Sequence, residues 1–389
     1  MGSGKTSWAI QYMDEHLDED FLYITPFLDE VDRIIEKTKR PFSQPVNKGN
    51  GKLWSMNDML AREECIAATH ELFRGFNSES KRCIENGNYT LILDEVLNVL
   101  EPISIKPDDI RILKDSGCIT INDDGYVIWN PDMHEYDTAF NDFKLLAENN
   151  SLICVNGIIF MWKYPPDIFK VFKKIYILTY MFDASILKYY FDLHGIEYVR
   201  GSITHEDGKY KIGVYKKPDT SKYAELIHIY EGKMNTNIAQ KNQSFSKSWY
   251  ETNKSKTDIK QLKDNIRNYI RNIRKVKAGM MMWTTFKDYQ SKLQGKGYTK
   301  GFVSCNCRST NEYADIDTLA YCVNIYLHPA ISNYFIQKDI PVNQDAYALS
   351  EMLQWIWRSK IRTGNEIYIY IPSIRMRKLL YEWMNIEYV

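Results

Sequence analysis

The pentapeptide GSGKT at residues 2–6 runs straight into KTSWAIQYMDEHL, a stretch of helical character. It is the back half of a phosphate-binding loop, which hangs from a buried strand and opens a helix. A chain using it is committed to a parallel sheet with helices on its faces. Gly2, Ser3 and Gly4 form the loop backbone, and the two glycines let it approach a phosphate closely. Lys5 reaches the β- and γ-phosphates, and Thr6 offers a hydroxyl to magnesium. Met1 stands where the strand and the loop's first glycine belong. Two expectations compete: Met1 is an internal methionine of a longer gene product, or the first domain lacks a central strand. The second would leave ladder groups unpaired in a buried sheet.

The stretch that follows keeps to α/β grammar. FLYITP reads as a short strand closed by Pro26, LDEVDRIIEKTK as a helix, and REECIAATHELF as a helix or strand–turn element. SKRCIENG reads as a helix ending at Gly87, and YTLILDEV as a buried strand. Strand, crossover helix and strand imply a parallel sheet. Residues 101–165 interrupt it with a short helix, DDIRILKDSG, and two hairpins, CITINDDGYVIW and SLICVNGIIFMW, marked by Asp-Gly and Asn-Gly turns. They form a small wing-like α+β insertion. After Tyr189 a second α/β unit begins, with a basic helix over 258–277, a strand in GMMMWTTF, a helix in YALSEMLQWIWRSKI, a strand in EIYIYIP and a last helix. The expected domains are 1–188, carrying the insertion, and 189–389.

LILDEV delivers Asp94 and Glu95 at the end of an apolar strand, about ninety residues after the loop. Such an acid pair lets Asp94 hold magnesium while Glu95 polarises an attacking water. Solvated acids closing a strand are the plainer alternative, but loop and strand together point to nucleotide hydrolysis. Near the C-terminus QWIWRSKIR supplies Gln354, Arg358 and Arg362. On one helix, arginines four apart share a face, with the interleaved tryptophans buried behind them. Arginines held in this way stabilise charge on a transferring phosphoryl group.

Composition narrows the partners. Fifty basic and fifty acidic residues leave no net charge, which argues against coating nucleic acid by charge alone. The charge is uneven, however, basic over 247–300 and acidic over 14–36. No run reaches eighteen apolar residues, so no membrane span is expected. Seven scattered cysteines read as reduced thiols of a cytoplasmic protein.

With these motifs in place, the chain resembles a superfamily 2 helicase across nearly its whole length. GSGKT resembles motif I, ITPFLDE motif Ia, ATHELF the next nucleic-acid motif and LDEV motif II. LTYMFDAS, MMWTTF, RSTNEY and QWIWRSKIR resemble motifs III to VI. The MGSGKT loop and the Arg-x-Thr-Asn-Glu-Tyr motif are similar to the branch of herpesvirus origin-binding helicases and phage helicase-like proteins. The resemblance implies two RecA-like domains, ATP and Mg2+ as cofactors, and single-stranded or forked DNA as partner, with RNA also open and replication proteins nearby. It makes Glu95 the base, gives Gln354, Arg358 and Arg362 the γ-phosphate, and makes Arg362 the arginine finger. Thr25, Pro26, Thr69, His70, Arg308, Thr310 and Asn311 would line the nucleic-acid path or couple it to ATP. Motif VI carries one residue more between its arginines than the common spacing. Motif III, with Thr179 and Ser185, lacks the Ser-Ala-Thr core. The basic helix and the insertion are candidates for extra DNA contact. The cell compartment implied is the bacterial cytoplasm. A helicase-fold binding protein with little hydrolysis, and a P-loop kinase, are the alternatives.

Overall fold

The computed structural model describes residues 4–47, 49–238, 240–252, 256–277, 279–306 and 312–388. The chain parts into two compact units. One is Ser3–Val214 with His328–Val342, and the other is Tyr215–Leu327 with Asn343–Val389.

The first unit opens with α1 (Lys5–Glu15), β1 (Asp20–Thr25), α2 (Leu28–Lys37), α3 (Lys52–Ala61), β2 (Ile66–Thr69), α4 (His70–Arg74), α5 (Ser78–Asn86) and β3 (Tyr89–Asp94). β1 is buried from Phe21 through Thr25, the run expected of a strand covered on both faces. α2 turns Val31 and Ile34 inward at helical spacing. α5 starts with a capping box in which the Asn77 side chain accepts from the backbone of Ser80 and the Ser80 hydroxyl takes the Asn77 N–H.

The insertion comprises β4 (Leu100–Ile103), α6 (Pro107–Asp115), β5 (Ile119–Ile121), β6 (Val127–Trp129), α7 (Asn141–Glu148), β7 (Leu152–Val155) and β8 (Ile159–Lys163). β4, β8 and β7 form an antiparallel sheet, and β5 and β6 a separate hairpin. The three-residue β7–β8 loop, 156–158, holds Asn156 at φ 54° and Gly157 at φ 71°, left-handed conformations that asparagine and glycine adopt most readily. A core of its own gathers Leu113, Trp129, Phe143 and Phe160.

α8 (Asp167–Lys170), β9 (Lys174–Leu178) and α9 (Ile186–Leu193) return to the main body. The parallel sheet has the order β2-β1-β3-β9. Trp8, Met13, Phe21, Ile34, Ile92 and Leu178 lie in its core. β10 (Gly201–Glu206) and β11 (Lys209–Val214) then pair as an antiparallel ribbon. The edge strands of the parallel sheet are β2 and β9.

The second unit contains β12 (Ile227–Ile229), α10 (Lys247–Thr252), α11 (Lys256–Asn268), β13 (Met282–Thr284), α12 (Gln290–Leu293) and β14 (Thr318–Tyr321). α13 (Pro329–Ile336) belongs to the first unit, where Phe335 meets Tyr189 with ring centroids 5.6 Å apart. α14 (Gln344–Ile356), β15 (Ile367–Tyr370) and α15 (Ile374–Trp383) complete the second unit. Its sheet, β12-β15-β14-β13, is again all parallel. The fold is thus α/β with two parallel-sheet units and an α+β insertion. The expected basic helix over 258–277 is α11 plus a wider π turn at Tyr269–Arg274. Among the described residues no helix is long and apolar enough to cross a membrane.

Candidate functional site

The strands of the first sheet are parallel, so their C-terminal ends share one edge, where ligands of open α/β sheets bind. Thr25, Thr69, Asp94 and Leu178 lie at that edge, with Thr25 in register with Thr69 and Asp94 with Leu178.

Asp94 is its centre. Tyr23, fully buried on β1, donates its phenol proton to Asp94 Oδ2 at 2.9 Å. Burial is the main influence on the carboxyl and pushes its pKa up to about 6. Tyr23's hydrogen bond and the Lys5 ammonium pull it down, while Glu95 and Glu30 add to the rise. Glu95 takes a left-handed backbone, φ 67°, and its N–H donates to Leu178 O at 3.2 Å. That positive φ is uncommon for a glutamate and turns the chain sharply at the strand end.

α1 brings the basic partner. Gly4 caps it at φ 75°, and Trp8 N donates to Gly4 O at 2.8 Å as the first helical bond. Lys5 and Thr6 stand half-buried in its first turn. Trp8 and Tyr12 seat the helix on Tyr176 of β9, with ring centroids 5.0 and 5.1 Å away. Among the described residues Asp94 Oδ1 accepts no hydrogen bond. The donor set, one free carboxylate oxygen with a threonine hydroxyl and a lysine ammonium, fits a magnesium nucleotide.

His70, at the start of α4, reaches across the end of β1 and holds the backbone oxygen of Asp94, Nε2 to O 3.1 Å. Thr69 caps α4 by accepting from Leu72 N at 3.4 Å. Thr25 is fully buried, and its hydroxyl finds no hydrogen-bond partner among the described residues; Pro26 is half-buried. Ser185 of motif III serves as the cap of α9, accepting from Lys188 N at 3.1 Å. Gly2, Ser3, Arg308, Thr310 and Asn311 lie outside the described residues.

Motif VI requires a correction. α14 ends at Ile356, so Gln354, Arg358 and Arg362 do not share one helix. Trp357 enters a ring cluster with Tyr223 and Trp383, centroids 4.9 and 5.6 Å away. Ser359 adopts an extended backbone, and its hydroxyl donates to Ile356 O at 2.6 Å. A short 3-10 turn, Lys360–Thr363, then carries Arg362. Arg358 is 8% exposed whereas Arg362 is exposed. Gln354 is half-buried, its side chain 3.5 Å from Ser350 Oγ.

Tyr23 is a partner of Asp94 that motif reading missed. A phenol within a buried strand was the available signal, because a buried hydroxyl needs a partner.

Comparison with known proteins gives the following. Residues 221–384 match the YonV C-terminal Rossmann-like domain, and residues 100–162 the YonV middle domain. The SPbeta prophage-derived uncharacterized protein YonV of Bacillus subtilis (strain 168) is 44% identical over 401 residues, covering 99% of this chain and 97% of its own. Among solved structures, an apo XPD chain is similar with TM-score 0.52 at 14% identity, over 99% of this chain and 94% of that one. An XPD helicase chain matches at TM-score 0.49 and 13% identity, over 100% and 94%. At these identities the likeness is one of fold.

Proposed function

The chain belongs to the YonV family, and we propose that it works as an ATP-driven helicase or translocase on nucleic acid, DNA foremost, in phage replication or recombination. The observation that carries this reading is the convergence on Asp94. Its carboxylate feels Lys5 and is held by Tyr23, and its backbone is held by His70. This contact supports the reading, because it links the acid proposed to hold magnesium to a histidine proposed to serve the nucleic-acid path.

In the proposed reaction Lys5 and the first turn of α1 bind the triphosphate, and Thr6 and Asp94 would hold magnesium. Bound there, the metal would draw charge from the phosphate oxygens. Tyr23 orients Asp94, leaving Oδ1 open. Glu95 takes the proton of the attacking water. Gln354, Arg358 and Arg362 answer the charge of the γ-phosphate, with Arg362, the exposed one, as the finger. Thr69 and His70, with Thr25, Pro26, Arg308, Thr310 and Asn311, serve the DNA path, in contacts made mostly to phosphates. Within superfamily 2 we assign the chain to the phage and herpesvirus origin-binding-like branch, on its MGSGKT loop and RSTNEY motif. The proposed compartment is the cytoplasm of the bacterial host, with replication proteins as partners.

Strand displacement on a forked duplex tests this. The parent chain should separate the fork with ATP and magnesium, and Glu95→Gln should bind the fork without separating it. Separation by Glu95→Gln at the parent rate would remove Glu95 from the reaction.

A further inference from the structure

Beyond the phosphate loop, a nucleotide needs a surface for its base, and the β10–β11 ribbon supplies one. Directly paired residues of an antiparallel ribbon point to the same face. His205 pairs with Tyr210, Ile203 with Ile212, and Gly201 with Val214. The other face carries Thr204 with Lys211 and Glu206 with Lys209. One face is therefore apolar and the other charged.

The apolar face lies along α1. The Gln11 amide grips the Tyr210 main chain, donating to its O at 3.1 Å and accepting from its N at 2.8 Å. Lys209 pairs with Glu15 at 3.2 Å. Ile203 and Tyr210 pack against the core of the first unit. The Tyr210 ring reaches the phosphate loop itself: a Cβ on Gly4 would sit 2.4 Å from Tyr210 Cε1. Going from Lys209 to Tyr210, the contacts move from the last turn of α1 towards its first. Beyond them the same face continues uncovered, with Ile212 48% and Val214 86% exposed. From Tyr210 to Val214 the strand extends ~13 Å.

We propose that Ile212 and Val214, with the Tyr210 ring as the inner wall, form the seat for the base of a nucleoside triphosphate whose phosphates lie at Lys5 and Thr6. The inference rests on the phosphate-binding reading of those two residues. Its occupant follows from continuity, because the apolar face begins in contact with Gly4 and extends away from it. Aliphatic side chains take a base by its flat face and give its edges no hydrogen-bond partner. Sites of that kind discriminate weakly between ligands of similar shape. ATP and GTP are therefore both accepted.

The test is calorimetric titration of the full chain and of an Ile212→Ser/Val214→Ser variant with magnesium ATP, GTP and inorganic tripolyphosphate. Both substituted side chains are exposed, so the fold should be retained, and an unchanged melting temperature checks this. In the parent, ATP and GTP should bind within about threefold of each other, and each more tightly than tripolyphosphate. The variant should lose about tenfold for the nucleotides and nothing for tripolyphosphate. Equal affinity for ATP and tripolyphosphate in the parent, or unchanged ATP affinity in the variant, would overturn the base seat alone. Binding of neither ligand by the parent would overturn the phosphate reading and the seat with it.

Discussion

Asp94 sits where two requirements conflict. Its proposed role as a metal ligand needs an ionised carboxylate, yet its place at the end of a buried strand raises its pKa from 3.8 to about 6, chiefly by burial. The folded protein thus holds this proton more tightly than the unfolded chain does. The resulting stability is fully present below pH ~4 and lost as pH rises through ~6. In magnesium-free solution Asp94→Asn should be more stable than the parent at pH 7.5, by ~1–3 kcal/mol, or a few degrees in melting temperature. The two should converge near pH 4, which thermal melts across pH would show. The same variant should lose hydrolysis. A parent-like melting curve at every pH would mean that Asp94 is well solvated. LILDEV put the acid at a strand end and GSGKT put Lys5 at a helix start, where the structure has them. The partners of Asp94 were not legible, because Tyr23 and His70 meet it through strand register, and a sequence records register only indirectly.

Among the elements, local signals served best where they were strongest. Both hairpins of the insertion formed at their Asp-Gly and Asn-Gly turns, and α5 stopped at Gly87 as its pattern required. The helix of motif VI was read too long. Spacing by four is a helical pattern only while the helix lasts, and tertiary contacts end this one. Trp357 is drawn to Tyr223 and Trp383, and Lys360 N donates to Ile316 O at 2.9 Å. That break gives the two arginines different roles to test. Arg362→Ala should keep the parent's melting temperature and ATP affinity while losing 10²-fold or more in hydrolysis, on the order of an arginine finger's contribution. Arg358→Ala, at a buried position, should lower the melting temperature by several degrees. Parent-like hydrolysis by Arg362→Ala would take the finger role away from it. The β10–β11 ribbon also carried a turn signal, Asp207-Gly208. Its docking on α1, 199 residues away at the Gln11–Tyr210 contact, left no trace in the sequence.

At the scale of the whole molecule, alternating strands and helices sufficed to foresee two parallel sheets. One excursion was hidden: after Leu327 the chain gives α13 to the first unit before resuming the second at Asn343. Neighbours in sequence are usually neighbours in space, and nothing in PAISNYFI marks the exception. The fold similarity to the apo XPD chain spans both units. The central proposal is a nucleotide-driven motor. The most direct measurement is the rate of ATP hydrolysis with and without single-stranded DNA, for the parent chain, Lys5→Ala and Glu95→Gln. DNA should stimulate the parent several-fold, and each substitution should abolish turnover. DNA binding without turnover in the parent, or turnover that survives Lys5→Ala, would contradict the motor and leave a nucleic-acid-binding protein of helicase fold.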